Sequence, residues 1–168
     1  TGSNRRPLIR GILTVTLAFA SFLPSRSLRA AESTATPPPF RVATYNIENY
    51  LDAPAGTRPL KTAEARTKIR DSILAARPDV LALQEMGGTN TLLELRASLA
   101  SAGLDLPHWE QITGADTNIH VAILSRFPIT ARRPHTNESF LLGTRRFHVS
   151  RGFAEVDLRV NPSYSFTL

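Results

Sequence analysis

Four consecutive apolar residues, Val80-Leu-Ala-Leu83, set between Asp79 and Gln84, constrain the fold more than any other stretch of the chain. A strand with one wet face alternates apolar and polar residues, so an unbroken run of this length suits a strand buried on both faces, as in a parallel sheet covered by helices. The preceding residues supply the cover. Over residues 62–76, Ala65, Ile69, Ile73 and Ala76 fall on one face of a helical period, while Arg66, Lys68, Arg70 and Asp71 lie largely off it. Pro78 disfavours helical geometry at Arg77 and ends the helix there. Further back, Phe40-Arg-Val-Ala-Thr-Tyr-Asn46 reads as a strand, and residues 52–59, with Pro54, Gly56 and Pro59, read as a loop. The opening unit is strand, helix, strand.

A second helix is predicted from Thr89 or Asn90 to Ala102. Thr89 and Asn90 both suit an N-cap, Leu92, Leu95, Leu99 and Ala102 form the apolar stripe, and Gly103 is placed to end it. Shorter extended segments follow at residues 109–113, 120–125, 153–160 and 164–168, with spacings that suit hairpins more than crossovers. The pairs Arg132-Arg133 and Arg145-Arg146 read as solvated loops. The expected fold is a layered α/β sandwich whose sheets mix parallel and antiparallel neighbours, over residues 40–168. Residues 164–168 look like the middle of a strand, so the domain is expected to be incomplete at its C-terminal end.

Charge separates the first quarter of the chain from the rest. The formal net charge is +6, and six arginines against Glu32 alone place +5 of it in residues 1–41. A nucleic-acid footprint on the remainder is therefore not evident. Arg5, Arg6 and Arg10 precede a 13-residue uncharged run from Gly11 to Leu23, and the small pair Ala30-Ala31 comes later. Basic, apolar and small residues in that order make residues 1–31 an export signal, and Arg5-Arg6 resembles the twin-arginine type. Residues 32–39 read as a proline-stiffened linker. The apolar run is shorter than the roughly 20 residues of a membrane span, so no stable span is expected after signal removal. The expected location is the bacterial periplasm or the extracellular space. Cysteine is absent, which removes disulfides, thiolate metal sites and cysteine nucleophiles, and leaves chemistry to oxygen and nitrogen groups.

Ligands of open α/β sheets bind outside the carboxyl ends of the strands. The first strand ends in Thr44-Tyr45-Asn46-Ile47-Glu48-Asn49 and the second in Gln84-Glu85-Met86. The amide oxygen of Asn46 and the carboxylate of Glu85 meeting there would form a hard-oxygen site for Mg²⁺, which takes one or two carboxylates and keeps water and substrate phosphate as its other ligands. Each residue also has a plain structural use, asparagine as a turn former and glutamate as a solvated helix start.

The strings Arg41-Val-Ala-Thr-Tyr-Asn-Ile-Glu-Asn49 and Pro78-Asp-Val-Leu-Ala-Leu-Gln-Glu85 closely resemble the opening of the endonuclease/exonuclease/phosphatase superfamily. Val121-Ala-Ile-Leu-Ser-Arg-Phe-Pro-Ile129 and Arg151-Gly-Phe-Ala-Glu-Val-Asp-Leu158 resemble its next two landmarks. The resemblance implies a phosphoesterase, most simply a phosphodiesterase, dependent on Mg²⁺ or another divalent cation such as Mn²⁺ or Ca²⁺. Asn46 and Glu85 match catalytic and metal-holding positions, and Glu48 is a secondary metal candidate. Arg126 and Arg151 are candidate phosphate contacts. Nucleic acid, phospholipid and inositol phosphate are all open as substrates, and no protein partner is implied. The superfamily's water-activating histidine and aspartate motifs are not matched, since His108, His120, His135 and His148 fall at none of those positions. Residues 1–168 are thus expected to stop before that machinery and to turn over poorly alone. The competing expectation is a secreted, non-catalytic module that keeps the fold.

Overall fold

The computed structural model describes residue 1 and residues 39–168. The export signal (1–31) and the linker (32–39) lie, apart from their end residues 1 and 39, outside the described residues. Strand β1 (Val42–Tyr50) is followed by helix α1 (Ala63–Ala76), β2 (Val80–Met86), α2 (Thr89–Ser101), β3 (His108–Ile112) and β4 (His120–Ser125). Five more strands complete the order: β5 (Ile129–His135), β6 (Ser139–Leu142), β7 (Arg145–His148), β8 (Phe153–Asn161) and β9 (Tyr164–Thr167).

The first sheet has the order β1-β2-β4-β3, with β1 and β2 parallel and the other pairs antiparallel. The second runs β5-β8-β9, and β6 and β7 form a separate hairpin. This is the layered α/β architecture with mixed sheets that the sequence predicts.

Alternation along β2 and β4 explains the layering. Leu81 and Leu83 of β2, with Ala122 and Leu124 of β4, face α1 and α2, where they pack with Ile69, Ile73, Leu92, Leu95 and Leu99. Val80 and Ile123 point to the other face and meet Phe127, Val156 and Leu158 from the second sheet's side. The second face is covered only in part. Val80, Leu81 and Leu83 are buried, but Ala82 is half-buried and lines a cleft of about 410 Å³ with Gln84, Val121 and Arg151. The expectation of a strand buried on both faces therefore holds at the start of β2 and fails toward Gln84.

Helix α1 starts where Thr62 Oγ1 accepts the Ala65 N–H at 3.2 Å, and ends at Arg77, whose left-handed φ of 45° precedes Pro78. Proline is why this happens: it excludes the right-handed helical conformation from the residue before it. Helix α2 departs from expectation at its start. Its N-cap is Gly88, with no side-chain cap, while Thr89 donates its hydroxyl to Gln111 Oε1 at 2.8 Å instead. Asp52, from the loop after β1, takes the Gly88 N–H at 2.6 Å, so a distant carboxylate occupies the helix N-terminus. Gly103, at φ 83°, lets the Leu104 N–H return to Leu99 O at 3.0 Å and closes the helix as expected.

The arginine pairs are strands, not loops. Arg132 and Arg133 lie in β5, Arg145 and Arg146 in β7. Cross-strand partners absorb the first pair, a signal that no local pattern carries. Arg132 bonds Glu110, and Arg133 forks onto Asp157 while reaching Glu155 across the β5–β8 ladder. His135 joins the same row, with Nε2 2.8 Å from Glu155 and Nδ1 3.3 Å from Glu138.

The groups of that row shift one another's ionisation. The hydrogen bond to Glu155, helped by Glu138 and opposed by partial desolvation, raises His135 above its ordinary 6.5. Arg133 and then His135 lower Glu155 below 4.5, and Arg133 and then Thr167 hold Asp157 at about 2. A raised histidine contributes stability fully below its unfolded value and loses it as pH rises through the folded one. Lowered carboxylates contribute above their unfolded values and lose it as pH falls. The network is thus whole between pH 4.5 and 6.5. Thermal melts should show the wild type losing stability relative to H135Q as pH rises beyond 6.5; a difference that stays flat with pH would refute the coupling. In the core, L83A should cost about 3 kcal/mol by urea denaturation, since Leu83 is fully buried between the sheet and the helices.

Candidate functional site

Two neighbouring strands break register at the same level. Between β1 and β2, Asn46 pairs Gln84 and the next pair is Tyr50 with Met86, so β1 carries two extra residues there. Between β2 and β4, Gln84 pairs Val121 and Met86 pairs His120, which leaves Glu85 as the bulged residue. The backbone records the break. Glu48, Asn49 and Glu85 have φ of 48°, 52° and 62°, left-handed values that are strained for glutamate. Bulges re-aim side chains, and here two of them turn Glu85 and the residues after Asn46 toward each other.

The result is a small polar constellation at the carboxyl ends of β1 and β2. Asn46 Nδ2 donates to Glu85 Oε1 at 3.2 Å, and the Asn49 N–H donates to Glu85 Oε2 at 3.1 Å. Asn46 Oδ1 accepts the Glu48 N–H at 2.9 Å, which holds the bulge and fixes the amide's orientation. One ladder step back, Gln84 Nε2 donates to Thr44 Oγ1 at 3.0 Å. Arg151 arrives from the segment before β8, with Nη1 3.8 Å from Glu85 Oε1. Its Nε is buried without a hydrogen-bond partner among the described residues. A close contact fixes where Arg151 stands: a Cβ on Gly114 would lie 2.5 Å from the Arg151 carbonyl carbon and 2.7 Å from Ser150 O.

Of the residues singled out in the sequence, Asn46, Glu85 and Arg151 are brought together. Glu48 reaches the site through its backbone; its carboxylate is 83% exposed and lies 3.6 Å from Lys61 Nζ. Arg126 is not brought there. It follows Ser125, which pairs Val80 at the opposite end of β2, and its guanidinium is bound to Asp79 at 3.0 Å and lies over the Phe127 ring. Antiparallel pairing of β4 with β2 is the reason, because it carries the end of β4 away from the carboxyl end of β2.

None of the four histidines shares a hydrogen bond with Asn46 or Glu85 among the described residues. His120 is buried opposite Met86, and its Nδ1 lacks a partner among the described residues. Burial lowers its pKa below 6.5, against the pull of Asp116 and Asp52. Sequence reasoning passed over the Asn49 N–H, which holds Glu85 from the bulged end of β1, and Asp52, which braces the start of α2 from the loop after β1. Their roles depend on backbone positions that no residue pattern specifies.

The fold agrees with the comparisons with known proteins. Residues 43–163 match the model of the Endonuclease/Exonuclease/phosphatase family. The chain belongs to the endonuclease/exonuclease/phosphatase family. That family is one of hydrolases, generally dependent on divalent metal. The crystal structure of an endonuclease/exonuclease/phosphatase protein from Beutenbergia cavernae DSM 12333 is similar in fold, with a TM-score of 0.51 at 21% identity. The match covers 76% of this chain and 36% of that one, so the chain spans about a third of that structure's length. A comparison with curated proteins finds no match.

The donor set suits the family's metal requirement. Among the described residues, no three His, Cys, Asp or Glu side chains cluster to hold an ion. The Glu85 carboxylate is nonetheless a hard-oxygen donor of the kind Mg²⁺ uses, whereas Asn46 turns its Nδ2 to that carboxylate and its Oδ1 to the Glu48 N–H, so the amide oxygen and the carboxylate do not meet as the sequence predicts. Glu85, held at both oxygens, presents its remaining lone pairs in a fixed orientation. Relief of strain is measurable at Glu48, whose side chain lies outside the constellation. E48G should raise stability by about 1 kcal/mol in urea denaturation, because glycine adopts the left-handed conformation without steric cost.

Proposed function

We propose that Glu85, Asn46 and Arg151 form the metal- and phosphate-holding part of an active site for phosphoester hydrolysis, and that the protein works outside the cytoplasm. The observation that carries this reading is the paired bulge, which sets a carboxylate fixed at both oxygens against an amide and a guanidinium at the carboxyl ends of two parallel strands. The order of basic, apolar and small residues over residues 1–31 supports the location. Phosphodiesters are the favoured substrates, and Mg²⁺ the favoured ion, with Mn²⁺ and Ca²⁺ as alternatives of the same ligand chemistry.

In this reading Glu85 holds the ion through the carboxylate lone pairs that Asn46 and Asn49 leave free. Asn46 keeps that carboxylate from rotating, a positioning effect that in outer-shell partners is worth about 10- to 100-fold in affinity. Arg151 swings from Glu85 to a phosphoryl oxygen, to which a guanidinium donates in a fork. A bound divalent ion neutralises the charge that develops on the phosphoryl oxygens when water attacks in line.

Mn²⁺ binding to the chain, followed by electron paramagnetic resonance, tests the assignment. E85A should weaken it at least about tenfold, and N46A to a smaller extent. Inorganic phosphate should tighten Mn²⁺ binding in the wild type and not in R151A. Mn²⁺ binding of equal strength in wild type and folded E85A would overturn the reading.

A further inference from the structure

Most large apolar side chains left exposed on the described residues stand singly, as at Val42, Leu60, Phe153 and Tyr164, and isolated cases need no explanation. The hairpin β6–β7 is different. Phe140, Leu141 and Leu142 are consecutive, and their exposure rises toward the Gly143-Thr144 turn, from 52% through 62% to 67%. Successive residues of a strand point to opposite faces, so Phe140 and Leu142 make one face of β6 apolar and Leu141 the other. An edge with two apolar faces cannot be covered by a partner lying against one of them.

Charge sits beside the apolar tip in fixed register. Leu142 pairs Arg145 and Leu141 pairs Arg146, so one guanidinium flanks each apolar face. Residues 139–148 contain no acid. Arg145 lies over the Phe147 ring at 5.4 Å, and Phe147 stacks on Phe140 at 5.7 Å. Arg146 is tied to Ser139 Oγ at 2.8 Å. The arginines are thus held on the hairpin, near its apolar end, instead of extending freely into solvent.

We propose that the β6–β7 hairpin is a membrane-docking element, which seats Phe140, Leu141 and Leu142 in the interface of an anionic phospholipid bilayer with Arg145 and Arg146 at the headgroups. A bilayer surrounds both faces of an inserted tip at once, and amphipathic elements that lie in the interface combine such apolar residues with arginine or lysine. A protein partner fits less well, because a four-residue strand is only about 13 Å long and cannot by itself bury the roughly 800 Å² per side of a stable complex. Nucleic acid fits less well too. The phenylalanines are already stacked on each other, and leucine offers bases no ring to stack on. This inference stands apart from the metal and phosphate site and survives if that assignment fails.

The chain has no cysteine, so L142C can carry a single environment-sensitive fluorophore in the otherwise unchanged full chain. With vesicles of phosphatidylcholine containing about a third phosphatidylglycerol, the fluorophore should shift to the blue and be quenched by brominated acyl chains. Neutral phosphatidylcholine vesicles should give a smaller response, and salt should weaken the anionic one. Adding R145Q and R146Q should lower partitioning by about 25-fold, at about fivefold per arginine. T144C, at the turn, gives the same reading should L142C not retain the wild-type circular dichroism. The proposal is overturned if the fluorophore is unmoved by anionic vesicles, including when the chain binds them through another segment. It is also overturned if the shift tracks protein concentration without lipid, which would assign the hairpin to a second copy, or if R145Q/R146Q partitions like the wild type.

Discussion

The interaction on which the candidate site depends is the grip of the β1 bulge on Glu85. A parallel ladder that continued in register past Asn46 and Gln84 would point Glu85 to the face opposite its neighbours, and its carboxylate would miss the Asn49 N–H. Two extra residues in β1 and one in β2 change that geometry. The strain of three left-handed non-glycine residues is held by hydrogen bonds that all lead back to Asn46 or Glu85. Backbone strain of about 1–3 kcal/mol per residue persists only where surrounding structure enforces it. Here the enforcement comes from the helical side of the sheet, where Ile47, Tyr50 and Met86 are buried next to the strained residues.

The loop after β1 ties this region to the rest of the domain. Asp52 takes the Gly88 N–H at the start of α2, and Arg66 of α1 donates to Leu51 O at 2.7 Å while lying over the Tyr50 ring. Both helices therefore brace the bulge from outside the site. Arg66, which helical periodicity places off the apolar face, is half-buried for this reason, since its guanidinium bridges Leu51 and Glu94. The second sheet acts from the other side, where the approach to β8 delivers Arg151. The hairpin β6–β7 joins β5 to that approach, so the apolar tip and Arg151 sit on one continuous stretch of chain.

How far the sequence could be read follows from the range of the forces involved. Helix α1 and its stop at Arg77-Pro78 rest on contacts within four residues and were legible, with Thr62 proving to be the cap rather than the first helical residue. So was the start of β2, because an apolar run reports burial directly. Strands β5, β6 and β7 were not legible. Their residues, Ile-Thr-Ala-Arg-Arg-Pro-His and two four-residue pieces, carry no clear alternation, and β5 is held by cross-strand pairing to Glu155 and Asp157. The N-cap of α2 failed for a related reason, since tertiary contacts through Asp52 and Gln111 displaced the local choice at Thr89.

By itself the sequence determined the strand–helix–strand opening, the parallel pairing that it entails, the family, and the residue types Asn46 and Glu85 at two strand ends. The family rests on the resemblance of ordered motifs; the rest follows from periodicity, proline and the chemistry of single side chains, all of which are local. Only the tertiary structure decided that Glu85 bulges toward Asn46, that Arg151 joins them, and that Arg126 is carried to the opposite end of β2. The physical reason is that register shifts and antiparallel returns are set by hydrogen bonds between segments distant in the chain. The same residue at a strand end can face a site or solvent according to a one-residue slip, and no local pattern encodes the slip.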